Sequence, residues 1–470
     1  MSVNRLILAG YAVLLVIMLV GFTVLYGSVS SLRQDVVGVS RGLEEQGRLI
    51  EELRRQLSSQ AEALRSLEGL RARIESLEAS MRDVASASDL ERLARELGRI
   101  SAELKTLSSS LTSVNESLRS FVEELSSRVE ELSGRVNALA EQILFPTTIV
   151  DGSGDKVTVL RKPSRIVSLA PSVTETLYFV GALDRLVGVD EWSNFPREVV
   201  EKRNRGELAI VGYWSPKVEV IVALKPDLVI GVASVPSHKA LKNILSQYGI
   251  PVILLPDFKL SDVMDSVLIV GRATGNIVKA YETLSQLEIA LRYAMLLASK
   301  VESKPRVAGV VWVKPLFVVG GGTWEHDILE IVGLNVYGDL SLWPQVSPES
   351  LLERAPDVIV MTSSHGAVKA EDLVNMLVGA LGDAAYKIPA VGNGRIYVLV
   401  GSYEDSFVRP SPRTIVSVYV LLVALHPGLF NLSVNDIPVT LSEDTLDIAG
   451  ILAKIAPDPV VAIVRSSLKG

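Results

Sequence analysis

The spacing of apolar residues divides the chain into three regimes. Residues 6–26 are apolar almost throughout and carry no charge. A run of 21 residues can cross a ~30 Å hydrocarbon core as a helix and exceeds the apolar region of a secretory signal. It is expected to be a retained anchor within residues 1–28. From Leu93 the apolar positions recur at alternating steps of four and three (Leu93, Leu97, Ile100, Leu104, Leu107, Leu111, Val114, Leu118, Phe121, Leu125), and resume after a four-residue stutter at Val129. Between Leu32 and Val84 the same period is kept less strictly, with Gln46 and Gln60 at seam positions. Such a narrow seam predicts a coiled-coil stalk over 29–145 that self-associates to bury its apolar edge. Residues 85–89 (ASASD) interrupt it. A straight stalk would reach about 170 Å, so it is expected to bend, to fold back there, or to span a wide extracytoplasmic space.

Beyond residue 145 the period changes. Residues 147–160 alternate around a DGSGD turn and predict a β-hairpin. Strand-like runs follow at 166–169, 186–189, 228–232, 251–255, 307–313, 358–361 and 396–400, separated by helical patterns. Several are apolar throughout, as parallel strands covered on both faces must be. The class is α/β. Residues 219–230 (EVIVALKPDLVI) are echoed at 349–360 (ESLLERAPDVIV), 130 positions on. Each is a short helix opening on Glu, a Pro-Asp stop and a buried strand. Two Rossmann-like lobes built alike, 146–261 and 304–430, account for the echo. Between them, 262–303 is expected to be one long bridging helix, with Gly271 and Gly275 as weak breakers. Residues 431–470 are set apart as a C-terminal extension.

Composition narrows the function. The net charge is −7 and no basic patch stands out, which argues against nucleic acid as a partner. Cysteine is absent, so there is no disulfide scaffold, thiolate metal site or cysteine to carry a lipid. No Gly-x-Ser-x-Gly elbow and no Gly-x-x-x-x-Gly-Lys phosphate loop occur, so the chain is not expected to be an enzyme, and no cofactor is expected. Asn115-Glu-Ser and Asn431-Leu-Ser are glycosylation sequons, in keeping with an extracytoplasmic location.

Residues 166–175 read IVSLAPSVTE, an apolar strand running into a polar corner. In open parallel sheets ligands sit outside the carboxyl ends of the strands. Ser172 is expected to cap the following helix, paired with Glu175 in a capping box. Ser172 and Thr174 are also candidate ligand contacts.

RIVSLAPSVTETLYFVGALDRLVGV, VEVIVALKPDLVI, WPQVSPESLLERAPDVIV and FVRPSPR, in this order and spacing, resemble the solute-binding proteins of ATP-binding-cassette importers for cobalamin and iron chelates. The likeness covers roughly 147–430 and implies two α/β lobes joined by a helix, with the ligand between them. It implies that Glu219 and Glu349 dock on arginines of the permease. It implies that Trp192, Tyr213, Trp214, Trp343, Asp405, Phe407 and Arg409 line the cleft, where flat rings suit a macrocycle or chelate. The Trp343-Pro-Gln-Val-Ser run puts cobalamin or another corrinoid first, with a ferric chelate or haem next. His238 and His365 each follow a predicted strand and are candidates to face a metal across the cleft; His326 lies in GGGTWEHDIL. The implied protein is the binding component of an importer, anchored by a single membrane span. Its globular part lies outside the cytoplasm, and its partners are a permease and that permease's ATPase. A ligand sensor and a structural tether on a coiled-coil stalk are the alternatives.

Overall fold

The computed structural model describes residues 145–469 except 364–367, together with scattered helical positions between 69 and 127, of which 95–109 is the longest run. Two compact units divide near residue 139. In the first, 95–109 is helical, with Ile100 buried and the seam leucines Leu97 and Leu104 exposed. The expected membrane span, 6–26, lies outside the described residues. Among those described, no helix is long and apolar enough to cross a membrane.

The second unit opens on an antiparallel hairpin, β1 (Thr147–Val150) and β2 (Lys156–Val159). Its turn is clamped to the sheet behind it. Asp151 accepts from Lys242 Nζ at 2.6 Å and from the Leu254 amide at 3.1 Å. Gly152 donates to the Leu254 carbonyl at 2.6 Å. A Cβ on Gly152 would lie 2.4 Å from the Pro256 nitrogen, so only glycine permits this approach. Gly152→Ala is expected to cost about 1–3 kcal/mol by overpacking, read as a lower denaturant midpoint.

The first lobe continues through β3 (Ile166–Ser168), α1 (Pro171–Phe179), β4 (Leu186–Val189), α2 (Arg197–Asn204), β5 (Ala209–Ile210), α3 (Val218–Ala223), β6 (Leu228–Val232), α4 (Pro236–Ser246) and β7 (Val252–Leu255). Its sheet is parallel, in the order β5-β4-β3-β6-β7. Order reverses at β3, so the crevice beyond the carboxyl ends of β3 and β6 is the natural ligand position.

The expected single bridge is two helices, α5 (Leu260–Thr274) and α6 (Ile277–Ala298). Gly275 takes a left-handed φ of 74° and ends α5. Gly271 packs against Ala280, whose Cβ would lie 2.3 Å from an added Cβ. The second glycine thus breaks the helix, and the first lets the two segments pack closely.

The second lobe comprises β8 (Arg306–Trp312), β9 (Phe317–Val318), α7 (Trp324–Val332), β10 (Leu334–Asn335), α8 (Ser350–Arg354), β11 (Val358–Thr362), α9 (Ala370–Leu381), α10 (Pro389–Gly392), β12 (Ile396–Leu399), α11 (Ser402–Val408), α12 (Thr414–Leu425), β13 (Thr440–Leu441), α13 (Ile448–Leu452) and α14 (Asp458–Leu468). Its sheet runs β10-β8-β11-β12-β13, all parallel, with β9 antiparallel on β8.

The sequence echo is a structural repeat. Lys225 and Ala355 both turn left-handed, with φ 47° and 43°, before the Pro-Asp pair. Asp227 and Asp357 each donate their amide at 2.8 Å, to the carbonyls of Arg165 and Arg306. Their carboxylates accept the same two residues' amides in return.

Residues 431–469 are part of this lobe rather than an appendage. β13 extends the sheet beside β12, and α14 packs on α6 and α12. Arg413 Nε donates to the Ser467 carbonyl at 2.8 Å.

Candidate functional site

The carboxyl ends of both sheets open on a cavity of about 500 Å³ between the lobes, within the range of small-molecule sites. The first lobe contributes Ala170–Ser172 after β3, Trp192 after β4, Tyr213 and Trp214 after β5, Val232, Ser234 and Val235 at the end of β6, and Asp257 after β7. The second contributes Val311 of β8, Trp324 and Glu325 at the start of α7, Trp343, and Val408–Pro410. Four of the chain's five tryptophans line this one space. Trp192 and Trp214 stand exposed at its rim, while Trp324 and Trp343 meet edge to face, 5.4 Å between ring centres.

The polar corner after β3 differs from expectation. Helix α1 begins at Pro171, with Ala170 as N-cap and no side-chain cap. Proline suits the first helical position because its missing N–H needs no partner there. Ser172 therefore lies inside the helix and borders the cavity. Thr174 faces inward, bonded to Ser168 and Ser193 at 2.8 Å each, and is not among the lining residues.

Glu175, freed from capping, is the centre of a buried ionic network between the lobes. Its Oε1 accepts from Arg409 at 3.0 Å and Arg413 at 2.9 Å, and its Oε2 accepts from Ser411 at 2.5 Å. Asp405 pairs with Arg409 at 2.7 Å, and Asn194 bonds both. Arg413 also lies over the Phe195 ring, 4.1 Å from its centre. Burial opposes the charge of Arg409, but Glu175 and Asp405 outweigh it and hold the guanidinium above its ordinary pKa. Arg409 thus borders the cavity already engaged by four partners, the Trp192 carbonyl being the fourth at 3.4 Å. Asp405 serves that network and does not line the cavity. Phe407 is fully buried and gives only its carbonyl, to Trp324 Nε1 at 2.7 Å.

His238 is not presented to a ligand. Its Nδ1 accepts from the Val232 amide at 3.2 Å and its Nε2 donates to the Tyr213 carbonyl at 2.9 Å. Burial lowers its pKa to about 4, so the ring is neutral, with both nitrogens occupied. His365 lies outside the described residues. His326 bonds Asn335 at 3.0 Å. Among the described residues no group of three or more acids and histidines is placed to hold a metal.

Trp324, Glu325, Ser234 and Asp257 line the cavity without having been singled out from sequence. Only the run GGGTWEHDIL, noted for its histidine, held a usable signal. Thr323 caps α7 there, accepting from the His326 amide at 3.1 Å, and so aims the first residues of the helix at the cleft. Burial raises Glu325 to about 8 and Asp257 to about 6. For Glu325 the unfolded carboxyl releases its proton near its ordinary value, and the folded one only near 8. Rising pH between these values therefore favours the unfolded state. Stability of the wild type is expected to fall from pH 6 to pH 8, and Glu325→Gln to flatten that part of a melting-temperature profile.

Glu219, the second residue of α3, and Glu349, the cap of α8, are both exposed at equivalent places in the repeat.

The sequence profile described as Periplasmic binding protein matches residues 166–403. The chain belongs to this family. An uncharacterized ABC transporter substrate-binding lipoprotein of Bacillus subtilis is 30% identical over 61% of this chain and 88% of its own length. A vitamin B12-binding protein of Vibrio parahaemolyticus is 29% identical over 55% of this chain and 88% of its own. The molybdate-bound periplasmic binding protein of a Haemophilus influenzae ABC transporter shares the fold, with a TM-score of 0.51 at 18% identity, over 66% of this chain and 96% of that one. Both curated relatives are named as binding proteins, one for an ABC transporter substrate and one for vitamin B12.

Proposed function

We propose that this periplasmic-binding-family member is the extracytoplasmic binding component of an ABC importer, capturing cobalamin or another corrinoid between its lobes. The observation that carries the proposal is the convergence of Trp192, Tyr213, Trp214, Trp324 and Trp343 on one interlobe cavity. Rigid flat rings bury much area at little rotamer entropy and match a planar macrocycle. The vitamin B12-binding relative points the same way.

Residues 6–26 supply the membrane tether that cysteine supplies in a lipoprotein, 29–145 form a self-associating stalk, and Glu219 and Glu349 dock the loaded head on paired basic sockets of the permease. Leu97 and Leu104, exposed on the 95–109 helix, support self-association along the seam.

Titration of the full chain with cyanocobalamin, a ferric hydroxamate and haemin, read by tryptophan quenching, tests the ligand assignment. Cyanocobalamin is expected to quench strongly, since four of five tryptophans border the site. Trp192→Ala and Trp214→Ala are each expected to weaken it about tenfold, the loss of one well-packed aromatic contact. Unchanged affinity in both variants would remove the rim from the site.

A further inference from the structure

Glu325 is an unusual residue to find beside such a cavity. It is 2% exposed, and its Oε1 accepts from the Trp343 indole at 3.2 Å. Its Oε2 is buried with no hydrogen-bond partner. An orphaned buried polar atom costs about 1–3 kcal/mol, and a leucine would pack there without that cost. Among the described residues no hydrogen bond satisfies the second oxygen, and Glu325 borders the cavity, where an entering group can supply one.

We propose that Glu325 is a specificity-determining ligand contact that takes a neutral carbonyl or carboxamide group, and that the site disfavours ligands carrying free carboxylates. The proposal rests on the interlobe cavity being the ligand site, as argued above. With Oε1 engaged as an acceptor, the proton of the neutral acid belongs on Oε2, which then is a donor in want of an acceptor. A carboxamide supplies one through its oxygen, with an N–H to return to the acid. Burial keeps the carboxyl neutral at pH 7, so the pair forms without burying a charge.

The rest of the cavity fits the same ligand. Its other ionisable lining residues are Tyr213, Asp257 and Arg409. Arg409 is the one basic group among the described lining residues, and Glu175, Asp405 and Asn194 hold it. Asp257 is already satisfied by the amide and hydroxyl of Ser234. A ligand carboxylate would lose its water here with no uncommitted cation to meet it, a costly exchange. Among flat ligands of this kind, one edged with amides is accepted and a dicarboxylate macrocycle is not.

Equilibrium binding at pH 7 with the full chain tests this, using cyanocobalamin and a ferric hydroxamate as neutral probes and haemin as the dicarboxylate. The better neutral probe is expected to bind at least tenfold more tightly than haemin. Glu325→Leu should weaken that probe about tenfold or more with little change in Tm, because removal of the orphaned Oε2 offsets loss of the Trp343 bond. Glu325→Gln, which keeps a donor on the same frame, should recover binding to within about threefold of wild type. Should the leucine variant not fold, Glu325→Asp, which draws the acid back by one methylene, is expected to show the loss. Equal affinity in wild type and the leucine or aspartate variant overturns the inference and leaves the ligand site standing. Haemin binding as tightly as the neutral probes overturns it likewise. Wild type binding no probe defeats both this inference and the assignment beneath it.

Discussion

Glu175→Ala is expected to lower the melting temperature on the order of 10 °C. The carboxylate is buried and receives Arg409, Arg413 and Ser411 together. Removing it leaves two guanidiniums, themselves 5% and 1% exposed, short of their shared counter-charge. Breaking a buried pair in this way costs about 3–5 kcal/mol, which for a domain of this size corresponds to a shift of that order. The loss extends beyond stability. Glu175 stands in the first lobe and the arginines in the second, so the network fixes the walls of the cavity relative to each other. Ligand affinity should fall with Tm, although Glu175 is not a lining residue. A shift below about 3 °C in thermal unfolding would show that Asp405 and Asn194 suffice to hold Arg409, and the Ser467 carbonyl and Phe195 ring to hold Arg413.

The second large effect concerns delivery. Reversing both Glu219 and Glu349 to Arg should reduce uptake by whole cells by about tenfold or more, while cyanocobalamin affinity of the purified chain stays at the wild-type value. Both side chains are exposed and neither is among the residues that line the cavity. Its own amide and the Ser347 hydroxyl hold the Glu349 carboxylate below its ordinary pKa, so it presents a charge at any physiological pH. Each single reversal should give an intermediate loss, because the repeat offers two equivalent contacts. Unimpaired uptake in the double variant would separate docking from these residues, and a loss of affinity would place them in the site instead.

Much of the fold could be read directly from residue pattern, for identifiable reasons. β6 and β11 are apolar at nearly every position because both faces of a parallel sheet are covered, and such runs need no context to recognise. The echo at 219–230 and 349–360 survived as sequence because it encodes a left-handed turn before Pro-Asp that both lobes require. The strands that escaped notice, β5, β9, β10 and β13, have two residues each and no periodicity to detect. Where local rules misled, distant partners had won. The Ser172–Glu175 spacing satisfies a capping box, but Arg409 and Arg413, more than 230 positions away, claim the glutamate. Phe407 and Arg409 sit two apart in one segment, and the first faces the core while the second borders the cleft. His238 follows a strand as a metal ligand might, yet the backbone of Val232 and Tyr213 takes both its nitrogens. Gly275 broke the bridge because its left-handed conformation ends a helix outright, whereas Gly271 within the helix only thins it.

The central claim is that the interlobe cavity holds a corrinoid, and equilibrium binding of cyanocobalamin to the full chain tests it most directly. Saturable binding with one site per chain, accompanied by tryptophan quenching that weakens in Trp192→Ala and Trp214→Ala, is the result expected. Absence of binding, or binding that leaves the tryptophan emission unmoved, would contradict it.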